Sequence, residues 1–516
     1  MTDNNAIKSK RIYWASGIVS ICGIIFEVLF GALGSYILGD GVKQYTLTIS
    51  LFLTGMGIGS FLSERVMKKL IQAFIIIEFA VAFIGGFSAF LLFGVTAYLG
   101  SGSDAIFLYA TILVIGTLTG LELPILIRKA NEIGVQINKS TARVLFSDYA
   151  GGLIGGLLFL FLFRPQFGLV KTAFLVAIIN IIVALWVLYT FRKEIAHLKA
   201  YSVMGGFILF LLIGGVMFGE EMAFSFEQKI YNDPIIYVED TKYQHIILTK
   251  EQGDLRLYLN GQLQFSSSDE YRYHETLVHI PMSLAEPRED ILVLGGGDGL
   301  ALRELEKYQD TKEVTLVDLD PRMVKLAKNN PQLAQLNENS FENEKVHVVH
   351  EDAFDYMESA KGFYDVILVD LPDPNNESLN KLYTLEFYSL LRNHLAPGGM
   401  IMVQATSPVF ARKVYWTIDE TISGTGMYTE NFHLDIPSFG NWGFVLAARK
   451  PIDISDIDIN VDTKYLSTDL IPSLTKFGKD EDGTIANEDG EQVELKPNTL
   501  IRPNLIEKYE RAWRNY

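Results

Sequence analysis

What most constrains this chain is a succession of apolar runs in its first half, each long enough to cross about 30 Å of hydrocarbon. They fall at 13–38, 45–62, 72–99, 105–127, 144–163, 168–191 and 203–218. Short breaks such as Gly100–Asp104 and Arg164–Gly168 suit antiparallel neighbours. The first run is too long for the core of a cleaved signal peptide, and further spans follow it. A multi-pass helical domain of about seven helices in the cell membrane, over residues 1–222, is therefore expected. Gly55–Met56–Gly57–Ile58–Gly59 and Gly151–Gly152–Leu153–Ile154–Gly155–Gly156 supply small residues for close helix packing.

Charge divides the chain at the same place. Residues 1–218 carry 16 Lys/Arg and 10 Asp/Glu, a balance of +6; the rest carries 28 and 51, a balance of −23, which together give the net −17. One homogeneous globular domain is excluded, and so is bulk-charge binding to nucleic acid, which needs a basic face. The single cysteine, Cys22, lies in an apolar run, so no disulfide framework or thiolate metal cluster is expected. Lys and Arg gather before the first span and after the second, fourth and sixth, which places the N-terminus in the cytoplasm by the positive-inside rule. Seven full crossings would then put the second half outside, at odds with a cytosolic cosubstrate. The last apolar run is the shortest and richest in glycine, so sidedness stays open. Glu27, Glu78, Glu122 and Asp148 lie within the spans. Such residues either line a cation path or are neutral or hydrogen-bonded to another helix.

From about residue 230 the pattern changes. Tyr243–Leu248 and Leu255–Leu259, followed by Asn260–Gly261, form a hairpin lead-in over 223–285. Strands then alternate with helices over 286–450: Ile291–Leu294, Val314–Val317, Val346–Val349, Tyr364–Val369, Met400–Val403 and Gly443–Ala447. This is the signature of a doubly wound, Rossmann-like parallel sheet of the S-adenosylmethionine-methyltransferase type. An acidic extension, 451–516, closes the chain. Ligands of such sheets bind beyond the carboxyl ends of the strands. There this chain has Gly295–Gly296–Gly297–Asp298–Gly299, Asp318–Leu319–Asp320, Glu351–Asp352 and Asp370–Leu371–Pro372–Asp373–Pro374. The glycine loop departs from the spaced G-x-G-x-x-G of dinucleotide sites, and with Asp318 and Asp352 it favours an S-adenosyl-type nucleoside. Asp298 would repel the carboxylate of S-adenosylmethionine and attract the ammonium of its decarboxylated form; its bland alternative is a helix cap. Asp269–Glu270 reads as a solvated pair, and Met282, Phe387 and Tyr388 as core. His274 and His279, five apart, face different sides of a helix, which argues against a metal pair.

In order along about 235–450, Tyr243-Gln244-His245-Ile246, the run Asn260–Glu275, the glycine loop with Arg303–Glu304, Asp318-Leu319-Asp320, Glu351-Asp352-Ala353-Phe354, Asp370–Pro374 and Leu382-Tyr383-Thr384 through Phe387-Tyr388 resemble spermidine synthase, the polyamine aminopropyltransferase family. The apolar first half, Pro437–Phe444 and Arg502–Trp513 resemble its long, membrane-anchored form. The resemblance implies transfer of an aminopropyl group from decarboxylated S-adenosylmethionine to a diamine such as putrescine, giving spermidine and methylthioadenosine. It implies no metal or other cofactor, because the sulfonium itself activates the carbon. By motif, Asp370 is the proton acceptor and Asp373 anchors the amine or its far end. Gln244, Gly295, Gly297, Asp318, Asp352 and Ala353 hold the nucleoside, while Tyr273, His274 and Asp298 line the aminopropyl and polyamine region. The family often assembles as dimers or tetramers, on which the periodicity of this chain is silent.

Three departures stand out. Leu371–Pro372 replaces a Ser or Thr between the two aspartates, Phe439 stands where tyrosine is frequent, and Asn260 replaces an aspartate. The first bears on the loop closing over the ligands, and the second puts putrescine as acceptor in doubt. Two rivals share the same features. A methyltransferase would use the same sheet, and a polyamine transporter or sensor would use the intramembrane carboxylates.

Overall fold

The computed structural model describes residues 3–39, 41–99, 102–486 and 492–513. Gly100 and Ser101 of the first expected linker lie outside them, as do 487–491 and 514–516 of the acidic extension. The chain divides into two compact units, Met1–Asn232 and Asp233–Tyr516.

The first unit is helical: α1 (Asp3–Leu38), α2 (Gly41–Leu62), α3 (Leu70–Leu99), α4 (Ser103–Glu132), α5 (Ile137–Leu158), α6 (Arg164–Thr190) and α7 (Leu198–Glu227). Among the described residues, six continuous helical stretches are long and apolar enough to cross a membrane; one of them, Ile137–Thr190, holds both α5 and α6. Gly168 breaks that stretch, with φ 63° and ψ −169°. The Thr172 hydroxyl donates to the Phe163 carbonyl at 3.2 Å. An unbroken helix would separate residues nine apart by about 13 Å along its axis, so the chain folds back here. The turn falls at Gly168 because a positive φ is cheap for glycine. The last apolar run is only part of its helix. At thirty residues, α7 is as long as α3 and α4, because it continues through polar residues to Glu227.

The small-residue patterns set the packing. A Cβ on Gly55 or Gly59 would stand 2.7 and 2.0 Å from backbone carbonyls of α4, and one on Gly116 or Gly120 would strike α2 in return. Glu78 is fully buried, and its Oε2 accepts from Asn180 of α6 at 2.7 Å. The same Asn180 amide also reaches the Glu78 carbonyl at 3.3 Å, so this carboxyl meets a cross-helix hydrogen bond in the bundle.

The second unit begins with an antiparallel sheet, β1 (Ile235–Asp240), β2 (His245–Glu251), β3 (Asp254–Leu259) and β4 (Gln262–Ser266), in chain order. Its β3–β4 turn is Asn260–Gly261, with φ 51° and 80°, the pair of positive φ that Asn-Gly hairpins favour. Helix α8 (Glu270–Leu284) leads into the main sheet: β5 (Asp290–Gly295), β6 (Glu313–Val317), β7 (Val346–Val349), β8 (Tyr364–Asp370), β9 (Leu395–Gln404), β10 (Tyr428–Ile436) and β11 (Gly440–Ala448). The spatial order is β10-β11-β9-β8-β5-β6-β7. Five strands run parallel, and β11 and β10 add antiparallel at one edge. Leu292, Val293, Leu294, Ile367, Leu368 and Val369 are fully buried, as strands covered on both faces must be. The unit is a mixed, Rossmann-like sheet with a small β lead-in.

Candidate active site

Strand order reverses between β5 and β8. From β5 the chain winds one way through β6 and β7, and then returns to build β8 and β9 on the other side. The crevice at such a switch point is where open α/β sheets bind ligands. Gly295 and Asp370 are register partners at its lip. At Gly295 φ is 83°, and a Cβ would lie 2.0 Å from the Asp370 carbonyl oxygen, so only glycine lets the two strand ends approach this closely.

The glycine loop turns into α9 (Leu300–Leu305), and Asp298 Oδ1 accepts from the Leu300 N–H at 2.9 Å. Asp298 thus receives the first N–H of the helix from one position before its N-cap, Gly299. It also shares its surroundings with Asp370 and His274. Burial, then the charges of Asp370 and Glu270, push it up to about 6 against the opposing pull of His274. Beyond β6, Asp318 accepts from the Asp320 N–H at 2.8 Å and from the Gly297 N–H. Burial pushes it up to about 6 despite those donors. A Cβ on Gly297 would sit 2.4 Å from Asp318 Oδ2. Gln244 reaches the same edge and donates to Asp320 Oδ2 at 3.0 Å. Beyond β7, Asp352 accepts from the Phe354 N–H at 2.9 Å and pairs with Lys381 at 2.7 Å, and Ala353 is buried. All six expected nucleoside residues therefore stand on the lead-in sheet or at adjacent strand ends.

Helix α8 supplies the opposite wall. The Tyr273 hydroxyl donates to Asp370 Oδ1 at 2.6 Å, and its ring packs on Phe444. His274 Nδ1 lies 2.8 Å from Glu270 Oε2. Burial would lower His274, but the Glu270 carboxylate, helped by Asp298 and Asp370, holds it up to about 9 as an imidazolium. Asp370 is raised by burial, against His274 and the Tyr273 hydroxyl. Asp373 is raised for the same first reason, against the donors Thr406, Gln404 and Tyr509. The Thr406 hydroxyl reaches Asp373 Oδ2 at 2.9 Å, and Gln404 Nε2 reaches Oδ1 at 3.3 Å. Both aspartates thus sit among neutral donors rather than in salt bridges.

One expectation is corrected. Asp269 and Glu270 are buried, not a solvated pair. Asp269 accepts from the Ser438 N–H and hydroxyl at 2.7 Å each. Glu270 takes a two-pronged guanidinium contact from Arg303 at 2.9 and 3.0 Å. The chain of charge continues from Arg303 to Glu304 (2.9 Å), and from Glu304 to His279 (2.8 Å) and Lys307 (2.6 Å). Glu304 lies well below the ordinary carboxylate range despite burial, because His279 and Lys307 hydrogen-bond to it and the charges of Arg303 and Lys307 stand beside it. The two histidines bind separate carboxylates, and Met282, Phe387 and Tyr388 are fully buried.

Sequence reasoning missed Gln404, Thr406 and Tyr509. The first two follow the strand Met400–Val403, so the strand-end rule that found the aspartates could have found them. Thr406 has φ 60°, costly for a β-branched residue, with its N–H on Gln404 Oε1 at 3.1 Å. Among the described residues, no group of three or more His, Cys, Asp or Glu is arranged to hold a metal ion.

The same stretch matches a family. The model for the spermine/spermidine synthase domain covers residues 270–457. A polyamine aminopropyltransferase of Oceanobacillus iheyensis is 66% identical over 517 residues, spanning 100% of both chains. One of Leptospira interrogans is 42% identical over 509 residues, 97% of this chain and 98% of its own. A solved spermidine synthase in complex with the transition-state analogue AdoDATO has 24% identity and a TM-score of 0.44, over 47% of this chain and 85% of that one. The family model and the two relatives favour aminopropyl over methyl transfer for the sheet. Alike from end to end to relatives that bear the name, the chain belongs to the polyamine aminopropyltransferase family, transferases of the spermidine-synthase type.

Proposed function

We propose that this aminopropyltransferase takes decarboxylated S-adenosylmethionine as donor and a short diamine, putrescine in the first instance, as acceptor, with no metal. The observation that carries the reading is the set of Asp298, Asp370 and Asp373 around one crevice, with Asp370 and Asp373 held by neutral donors. Unpaired carboxylates in a partly desolvated cleft are costly until a cation arrives. Both substrates bring cations. The decarboxylated donor keeps the ammonium of its tail and lacks the carboxylate that stands beside it in the intact nucleoside, and the diamine has two ammonium ends.

The amine nitrogen attacks the methylene next to the sulfonium. A C–N bond forms and the C–S bond breaks, with its electron pair passing to sulfur to give the thioether methylthioadenosine. One proton leaves the nitrogen, whose solution pKa is near ~10, and Asp370 receives it. Tyr273 fixes that carboxylate, Asp373 anchors the far amine, and Asp298 holds the donor's aminopropyl end. Gln244, Gly295, Gly297, Asp318, Asp352 and Ala353 hold the nucleoside. The helical unit anchors the enzyme in the cell membrane, a role supported by the length and apolarity of its helices.

The test is product analysis. Purified full-length protein in detergent is given decarboxylated or intact S-adenosylmethionine with a panel of diamines. Methylthioadenosine and spermidine are expected from the decarboxylated donor with putrescine. No methylthioadenosine with any diamine would overturn the reading.

A further inference from the structure

The acidic C-terminal segment is tied to the loop that carries Asp373. Asn498 is fully buried; its side-chain amide donates to the Tyr383 carbonyl at 2.8 Å and to Asn380 Oδ1 at 3.1 Å. Its own carbonyl accepts from the Leu385 N–H at 2.8 Å, and its N–H donates to Thr421 at 2.9 Å. Asn498 Oδ1 then accepts from the Asn504 N–H at 2.9 Å, which starts the terminal helix Leu505–Trp513. Leu505 is fully buried, Lys508 reaches Thr417 at 2.7 Å, and Trp513 packs on Phe410. The helix is therefore fixed in place on the catalytic unit.

Its one buried polar ring is Tyr509, whose hydroxyl stands beside Asp373 and Gln262 and acts on the Asp373 carboxyl. Gln262 is linked in turn to Asn375 of the Asp373 loop at 3.1 Å. Burial and the Asp373 charge keep the phenol protonated, so it acts as a donor. Residues from the lead-in sheet, the strand-end loop and the terminal helix thus gather around Asp373 and its loop.

We propose that Tyr509 is a specificity-determining residue that closes the acceptor end of the site, so that an acceptor must finish with an ammonium at Asp373 and a longer triamine is excluded. The inference rests on the reading of Asp370 and Asp373 as the acceptor's two anchors. The hydroxyl shares Asp373 with the bound ammonium, and the ring occupies the space a further aminopropyl arm would need.

Kinetics of wild type, Tyr509→Phe and Tyr509→Ala, each with putrescine and with spermidine as acceptor, test it. Tyr509→Phe keeps the ring and its packing. It should raise KM for putrescine roughly three- to tenfold, with kcat and the donor KM unchanged. Tyr509→Ala should raise the kcat/KM ratio of spermidine to putrescine at least about tenfold, with spermine as the new product. A putrescine KM unchanged in Tyr509→Phe, or a wild-type ratio in a cooperatively melting Tyr509→Ala, overturns the proposal. Either result leaves the aminopropyl-transfer reading intact as long as wild type makes methylthioadenosine, so the two fail separately.

Discussion

Two groups of carboxylates flank the same crevice and are built in opposite ways. Glu270 and Glu304 are interlocked with Arg303, Lys307 and the His279 ring at 2.6–3.0 Å, and each carboxylate faces a guanidinium or an ammonium. Across the crevice, Asp370 and Asp373 meet a phenol, an amide and a hydroxyl, and the nearby imidazolium of His274 is already bonded to Glu270. The first group is a scaffold whose charge is cancelled on folding. The second carries negative charge that folding leaves uncancelled, which is what a receptor for cations requires. Breaking a buried, cancelled pair costs stability, whereas removing an uncancelled charge costs function and spares the fold.

Four changes would sharpen or break that contrast. Asp370→Asn keeps the shape and the Tyr273 contact but removes the proton acceptor. It should lower kcat by roughly 10²- to 10⁴-fold and leave the melting temperature level or higher, as steady-state kinetics and a thermal melt will read. Glu270→Ala should do the reverse. With Arg303 and His274 stripped of their main partner, unfolding should become easier by about 3–5 kcal/mol, visible in denaturant titration of the purified protein.

Proton titration separates the groups next. Asp298 and Asp318 are both raised from the ordinary carboxylate value to about 6. Protonation below that value removes the attraction for the donor's ammonium and the anionic partner of its ribose. KM for the decarboxylated donor should therefore climb as pH falls through about 6 and stay flat from 7 to 8. Because their folded pKa values are raised, these acids favour the folded state when protonated, so they contribute no acid unfolding in that window. His274 is raised from 6.5 to about 9, so its contribution to stability is full below 6.5 and disappears as pH rises through 9. Melting temperature against pH should show that alkaline loss, and His274→Gln should remove it. The smallest effect belongs to Gly297→Ala. A Cβ 2.4 Å from Asp318 Oδ2 must displace that carboxylate, raising the donor KM about three- to tenfold with the acceptor KM unmoved.

The strand ends were legible because buried parallel strands are short, unbroken apolar runs, and acids immediately after them stand out. β10 was not. It alternates Thr429, Asn431, His433 and Asp435 with Phe432, Leu434 and Ile436, the pattern of an edge strand covered on one face, and it contains no apolar run. The hairpin in the long helical stretch was legible, but its turn was narrower than Arg164–Gly168. Asp269 and Glu270 were misread because charge at a helix start looks solvated until its partners are known. Those partners, Ser438 and Arg303, lie 169 and 33 residues away. Tyr509 carried no local signal at all, since only the path of the tail through Asn498 brings it to Asp373.

The central claim is that negative charge left over by folding selects the decarboxylated donor, and Asp298 tests it most directly. Methylthioadenosine formation with putrescine, together with equilibrium binding of decarboxylated and intact S-adenosylmethionine, is to be measured for wild type and Asp298→Asn. The account predicts that wild type binds and uses the decarboxylated donor in strong preference to the intact one, and that the variant loses most of that preference while still folding. An unchanged preference in Asp298→Asn, or wild-type protein that binds intact S-adenosylmethionine equally well, would contradict it.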